Sequence, residues 1–80
     1  MSAAEAQEVK SLLLRSNDHY RQLSERHHEL DDRLHQLVQL PYLTASEQVE
    51  EVTLKKRKLA LKDQMEQMAL DYAKTHFRAS

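Results

Sequence analysis

Side chains of largely apolar character recur at alternating steps of four and three residues through the first half of the chain. This stripe comprises Val9, Leu13, Ser16, Tyr20, Leu23, His27, Leu30, Leu34 and Leu37. A spacing close to 3.5 residues places every member on one face of an α-helix, as in the seam of a coiled coil. The short oxygen-bearing side chains of Ser16-Asn17-Asp18 can cap a new helix. The pattern therefore predicts a helix over about residues 3–15 and a longer one over about residues 17–39.

The segment LPYLTASEQ, residues 40–48, interrupts this pattern and contains the sole proline of a chain that has no glycine. Pro41 lacks an amide hydrogen and pushes the preceding residue away from helical geometry, so the first arm ends there. Thr44-Ala45-Ser46-Glu47 matches the S/T-x-x-E capping box that opens many helices. We expect a turn at residues 40–44 and a helix over about residues 45–76. A connection this short makes the two arms antiparallel.

The second arm carries two apolar stripes on nearly opposite faces, given about 100° of rotation per residue. One stripe would form the hairpin seam with the first arm, and this seam comprises Tyr20, Leu23, His27, Leu30, Leu34, Leu37, Leu54, Leu61, Met65, Met68 and Tyr72. The other, which we call the outer stripe, comprises Val49, Val52, Leu59 and Leu70. One hairpin partner covers only one face, so the outer stripe must meet the segment around Val9 to Leu14, another subunit or an outside partner.

The length of 80 residues allows one small domain, residues 1–80, whose own core is marginal because such chains bury only about 60–65% of their unfolded surface. The expected fold is all-α. It is an antiparallel, coiled-coil-like helical hairpin with a short extra N-terminal helix, and it associates into a helical bundle. A homo-oligomer, a dimer or higher, is the expected state.

The stretch KKRKLALKD, residues 55–63, suggests nucleic-acid binding, because Lys55, Lys56, Arg57, Lys58 and Lys62 are all basic. Two observations count against that function. The net charge is −1, whereas nucleic-acid modules usually carry excess positive charge. At 100° per residue the five side chains spread around the helix axis. Folding about Tyr42 would place Lys55 roughly opposite Glu29, and Lys58 and Lys62 near Glu25 and its neighbours, so we expect weak interhelical ion pairs.

Other sites find less support in the sequence. His28, Asp32 and His35 share a helical face, but no fourth ligand and no cysteine accompany them, so no metal or other cofactor is expected. His27 occupies a seam position, where it is either a hydrogen-bonded imidazole at the edge of the core or a pH-sensitive group. There is no glycine-rich phosphate loop and no nucleophile elbow, so we expect no enzyme activity and assign no catalytic residue. No apolar run is long enough to cross a membrane, and a cytoplasmic location is expected.

Two blocks of sequence resemble the YdcH-like family of short bacterial proteins, which is a domain of unknown function (DUF465). The first block is H-x-x-L-D-x-x-L, beginning at His27, and the second is K-K-x-K-L-x-L-K-D-x-M, beginning at Lys55. The similarity covers about residues 16–70, with His28 where the family tends to have Asn and Asn17-Asp18 where it often has Asn-Pro. The resemblance implies a small helical hairpin in the bacterial cytoplasm, with no catalytic residues to carry over.

Two functions remain open at this point. The first is a self-associating protein–protein interaction module without catalysis, which presents a charged surface to a protein partner. The second is a hairpin dimer that binds RNA or DNA, with the five basic side chains of residues 55–62 contacting phosphates.

Overall fold

The computed structural model describes residues 2–76, and this part of the chain forms three helices and no strand. The helices are α1 (Ala3–Ser16), α2 (Asp18–Val38) and α3 (Ala45–His76). Helices α2 and α3 form an antiparallel hairpin, and α1 packs against both of them. The molecule is elongated, with principal extents of 54 × 21 × 17 Å. The all-α hairpin fold predicted from the sequence is confirmed.

The break between α1 and α2 is made by Asn17, which caps both helices. Its backbone amide donates to the carbonyl of Leu13 at 2.9 Å, and its side-chain oxygen accepts from the amide of Tyr20 at 2.9 Å. Arg21 adds a second link, because its guanidinium donates to the carbonyl of Leu14 at 3.0 Å. A cation bound to the carbonyl end of a helix opposes the helix dipole. The extended backbone of Asn17 therefore separates the two helices, while these hydrogen bonds hold the end of α1 against the start of α2.

The capping box that opens α3 is present as predicted. The hydroxyl oxygen of Thr44 accepts from the amide of Glu47 at 3.1 Å, and the Thr44 amide donates to the Glu47 carboxylate at 2.9 Å. At the end of α2, the amides of Gln39 and Leu40 donate three residues back along the chain, at 3.2 Å each. These tight turns follow the end of α2 at Val38, and Pro41 prevents the helix from continuing.

Two buried clusters lie along the molecule. Near the turn, Leu34 and Leu37 of α2 pack against Leu54 of α3. At the other end, Val9 and Leu13 of α1 pack with Tyr20 and Ala69. The second cluster is completed by partly buried side chains of α3, namely Met65, Met68, Tyr72 and Ala73. Helix α1 thus joins the seam side of α3 and closes the open end of the hairpin.

The positions assigned to the seam divide into two groups. Those that are buried are Tyr20, Leu23, Leu34, Leu37 and Leu54. Those that are partly buried are His27, Leu30, Leu61, Met65, Met68 and Tyr72. Ser16, which shares the heptad spacing, is exposed, and its hydroxyl donates to the carbonyl of Leu12 at 2.6 Å. The helix break at Asn17 explains this, since it turns α1 away from the line that α2 follows.

Candidate functional site

The outer stripe of α3 is exposed to solvent along the length of the helix. The exposed fractions are 66% for Val49, 52% for Val52, 59% for Leu59 and 46% for Leu70. These side chains lie opposite the seam face, which α1 and α2 already cover. Of the three ways to cover the outer stripe, packing by the segment around Val9 to Leu14 does not occur at Val49, Val52 and Leu59, because Val9 and Leu13 pack elsewhere. Leu70 lines a small groove together with Lys10 of α1. A single chain leaves this face open.

The five basic side chains of residues 55–62 were expected to spread around the helix axis, but three of them lie together. Lys55, Lys58 and Lys62 follow steps of three and four residues, and all three line one open groove between α2 and α3, about 400 Å³ in volume. Lys56 and Arg57 are exposed on other faces of the helix. The sequence contained this spacing, so three of the five basic side chains could have been placed together from it.

The rest of the groove lining is mixed in character. Asp31 and His35 add polar groups from α2, and the apolar part consists of Leu34, Val38 and Leu59. Val38 is exposed, as is Leu59 of the outer stripe. The groove therefore joins the basic side of α3 to the apolar face.

Carboxylates neutralise part of the basic side. Lys58 donates to Asp31 across the hairpin, and Lys55 lies 3.7 Å from the carboxylate of Glu51 in its own helix. The hydrogen bond and the positive charge of Lys58 lower the pKa of Asp31 below its usual value. In residues 2–76, Lys62 is the lysine of this groove that makes no ion pair. The groove thus presents less net positive charge than three lysines suggest.

The ion pairs predicted between the arms are wrong in their partners. Lys55 pairs with Glu51 rather than meeting Glu29, and Lys58 pairs with Asp31 rather than lying near Glu25. The cause is the register of the hairpin. Lys58 meets Asp31 instead of a residue near Glu25, so this part of the hairpin does not follow a simple fold-back at Tyr42.

A further ion pair across the hairpin has the reverse polarity, with the cation on α2. Arg33 binds Glu50 through two parallel hydrogen bonds of 2.9 Å, from its Nε and one Nη to the two carboxylate oxygens. Bidentate pairs of this kind combine charge with defined geometry. The hydrogen bond from Arg33 lowers the pKa of Glu50. Sequence reasoning missed this pair, because it concentrated on the lysine run.

His27 is partly buried at the edge of the seam, in a second groove that also contains Tyr20, Lys62 and Met65. Burial lowers the pKa of His27, and the positive charge of Lys58 lowers it further. The ring lies edge-on to that of His28, with centroids 6.1 Å apart. The environment of His27 thus favours the neutral imidazole.

Neither a metal-binding cluster nor a helix suited to crossing a membrane occurs among residues 2–76. Within this range, no three His, Asp or Glu side chains come together in a way that could hold a metal ion. None of the three helices combines the length and the apolar character that a membrane crossing requires.

Comparison with known proteins gives one match. The family model described as "Protein of unknown function (DUF465)" matches residues 21–69. The chain belongs to the DUF465 family. No curated protein and no solved structure matches it. The resemblance noted in the two sequence blocks is therefore confirmed.

The DUF465 match covers most of the hairpin and leaves out α1, the helix that closes it. It begins at Arg21, near the start of α2, and ends at Ala69 in α3. The groove with its three lysines lies inside the matched range, as do Val49, Val52 and Leu59. Helix α1 and Leu70 lie outside it.

Proposed function

We propose that this DUF465 protein is a non-catalytic, self-associating helical module that acts through protein–protein contacts. The observation that carries the proposal is the outer stripe of α3, where Val49, Val52 and Leu59 are each more than half exposed. Exposed apolar side chains that recur along one face of a helix are a common mark of an interaction site. A second copy of the same hairpin, packed on this face, forms a four-helix bundle with α1 at its margins.

The size of the chain supports the same proposal. The described residues contain only eight buried apolar side chains, and seven of them form two clusters that are separated along the hairpin. Each exposed Val or Leu that becomes covered on association contributes up to about 1.5–3 kcal/mol. Burying the outer stripe of both copies therefore adds a third apolar layer to a small core.

The test is the mass in solution of the Leu59→Asp variant. We expect the unaltered chain to sediment as a dimer or higher oligomer at micromolar concentration. Leu59→Asp should shift it toward the monomer, because a charge would enter an apolar interface. The monomer should keep its helices, since Leu59 makes no part of either buried cluster.

Leu14→Asp is the matched control, because Leu14 is also exposed but lies on α1, away from the stripe. It should leave the mass unchanged. An unaltered chain that remains a cooperatively folded monomer at high micromolar concentration would refute the proposal.

Nucleic-acid binding remains the second candidate, and the placement of Lys55, Lys58 and Lys62 in one groove favours it. The ion pairs of Lys55 and Lys58 with carboxylates oppose it. A salt titration with labelled RNA and DNA separates these possibilities. If the groove contacts phosphates, Lys55→Gln/Lys62→Gln should lower the salt slope by about two units, since each lost contact removes about one.

The matched control removes the same charge from outside the groove, with Lys56→Gln/Arg57→Gln. Tight binding at physiological salt that only the groove variant abolishes would establish the second candidate. Weak binding at low salt, equal for both variants, would leave the interaction module as the function.

A further inference from the structure

The face of α3 that carries the outer stripe also carries two charged residues at defined places. Along the exposed face of α3, steps of three, four or seven residues connect Val49, Val52, Lys56, Leu59, Asp63 and Leu70. At 100° per residue these six positions fall within about 80° of the helix circumference. All six are exposed. The face thus has apolar ends, an apolar centre and one charge on each side of that centre.

The two charges are opposite in sign and are unpaired within residues 2–76. Lys56 precedes Leu59 and Asp63 follows it, and neither makes an ion pair in that range. Glu66, one turn further on, lies instead beside Lys10 of α1, with which it lines two small grooves. Asp63 is therefore the carboxylate most available to a partner on this face.

From this pattern we infer that the stripe binds a second copy of the chain in the antiparallel orientation, with the two-fold axis close to Leu59. The inference rests on the proposed self-association and adds the direction of the partner helix. A two-fold interface repeats every contact twice. In the antiparallel arrangement, Lys56 of each copy meets the region of Asp63 on the other. The end that carries Val49 and Val52 meets the end that carries Leu70.

The parallel arrangement has the opposite electrostatics. It places Lys56 against Lys56 and Asp63 against Asp63, and like charges brought together while losing water cost free energy. Polar residues within an otherwise apolar helical seam commonly select one orientation at some cost in stability. This role gives a physical reason for a lysine and an aspartate within the apolar stripe.

Distances between spin labels test the orientation directly. The chain has no cysteine, so a single introduced cysteine carries a unique label. Gln48→Cys and Lys74→Cys place labels at opposite ends of α3, at exposed positions. For an antiparallel dimer, two Gln48 labels should lie about 35 Å apart, given the rise of 1.5 Å per residue. In a mixture of the two variants, labels on Gln48 and Lys74 should instead lie about 10–20 Å apart, since packed helices are separated by about 10 Å.

The possible outcomes separate this inference from the proposed function. A short distance between two Gln48 labels, with a long one in the mixture, would overturn the antiparallel orientation and leave self-association intact. The absence of any dipolar signal, together with a monomeric mass, would contradict both. The pair of distances expected above would support both.

Charge reversal gives an independent test with a different readout. Lys56→Glu should raise the dissociation constant of the dimer about tenfold, because two ion pairs become two repulsions. Adding Asp63→Lys to the same chain should restore the original value. Arg57→Glu is the control, since it reverses a neighbouring exposed charge outside the stripe and should change the constant little. Failure of the double variant to recover would overturn the inference.

Discussion

At the scale of single residues, three polar side chains determine where this chain bends and how it responds to pH. Asn17 satisfies backbone groups of two helices at once, and Thr44 exchanges hydrogen bonds with Glu47. Both arrangements depend on neighbours within four residues. His27 differs, because its environment is built by α3 and α1 as well as by its own helix.

His27 should make folding stability depend on pH near neutrality. Its own helix places Asp31 and His28 beside it, α3 contributes Lys58 and Lys62, and Lys10 and Glu66 line the same groove. Burial and the charge of Lys58 together lower the pKa of His27 below the ordinary value of 6.5. The unfolded chain therefore binds a proton more readily than the folded chain in this pH range.

The sign of the effect follows from this difference. The contribution of His27 to the free energy of unfolding is fully present above pH 6.5. It is lost as the pH falls through 6.5 toward the lowered pKa of the folded state. We expect His27→Gln to flatten the free energy of unfolding between pH 7.5 and about pH 5.5, measured by urea denaturation. The control for removing an imidazole as such is His19→Gln, at an exposed position of the same helix. An equal slope in the His27 variant and the unaltered chain would contradict the prediction.

At the scale of elements, the register of α2 against α3 is held by leucines and by two ion pairs of opposite polarity. Leu34 and Leu37 pack on Leu54, but leucines alone tolerate sliding by a turn. Arg33–Glu50 and Lys58–Asp31 lie on opposite sides of that cluster along α3. A slide would separate both pairs, so together they make one alignment preferable.

The Arg33–Glu50 pair is open to a charge-swap experiment. Arg33→Glu and Glu50→Arg should each destabilise the hairpin, and the double exchange should recover most of the loss. The coupling should be favourable but small, since the pair is bidentate but partly exposed. Urea denaturation of the four proteins at pH 7 measures it.

Lowering the pH provides a control for this double-mutant cycle of Arg33 and Glu50. Arg33 lowers the pKa of Glu50, so the coupling is present above the ordinary glutamate pKa and is lost as the pH falls through the folded value. A coupling free energy of zero at pH 7 would show that the pair has no part in the register.

At the scale of the whole molecule, α1 closes one end of an elongated hairpin whose outer face remains open. Val9 and Leu13 are almost completely buried, against Tyr20 and Ala69, although α1 lies outside the range of the DUF465 match. The matched range begins at Arg21, after the end of α1. That helix contributes to the core, while the outer stripe is left for association.

The contribution of α1 can be measured in the sequence Leu12-Leu13-Leu14, which offers its own control. Leu13 is 4% exposed and Leu14 is 40% exposed. Leu13→Ala should cost about 2–4 kcal/mol, because it removes apolar contacts and leaves a cavity. Leu14→Ala should cost less than about 0.5 kcal/mol, as is usual for exposed positions. Equal costs in urea denaturation would show that α1 is not docked as described.

Much of this architecture could be predicted because its causes are local or periodic. The heptad spacing placed Tyr20, Leu23, Leu34 and Leu37 on one face, and the capping box marked the start of α3 at Thr44. The errors concern partners that are distant in the chain, such as the carboxylate that meets Lys58. Which side chains meet across the hairpin depends on how α2 and α3 pack along their whole length, and no local signal in the sequence reports that packing.

The sequence by itself determined the three helices, their breaks at Asn17 and Pro41, and the existence of two apolar stripes on α3. Each of these features follows from backbone chemistry and a helical period, and none of them requires knowledge of which segments meet. The tertiary structure alone decided that Val9 and Leu13 pack on the seam side of α3, that Arg33 holds Glu50, and that Val49, Val52 and Leu59 are left uncovered. These depend on the register and direction in which helices pack, which many weak contacts, distant in the chain, select together.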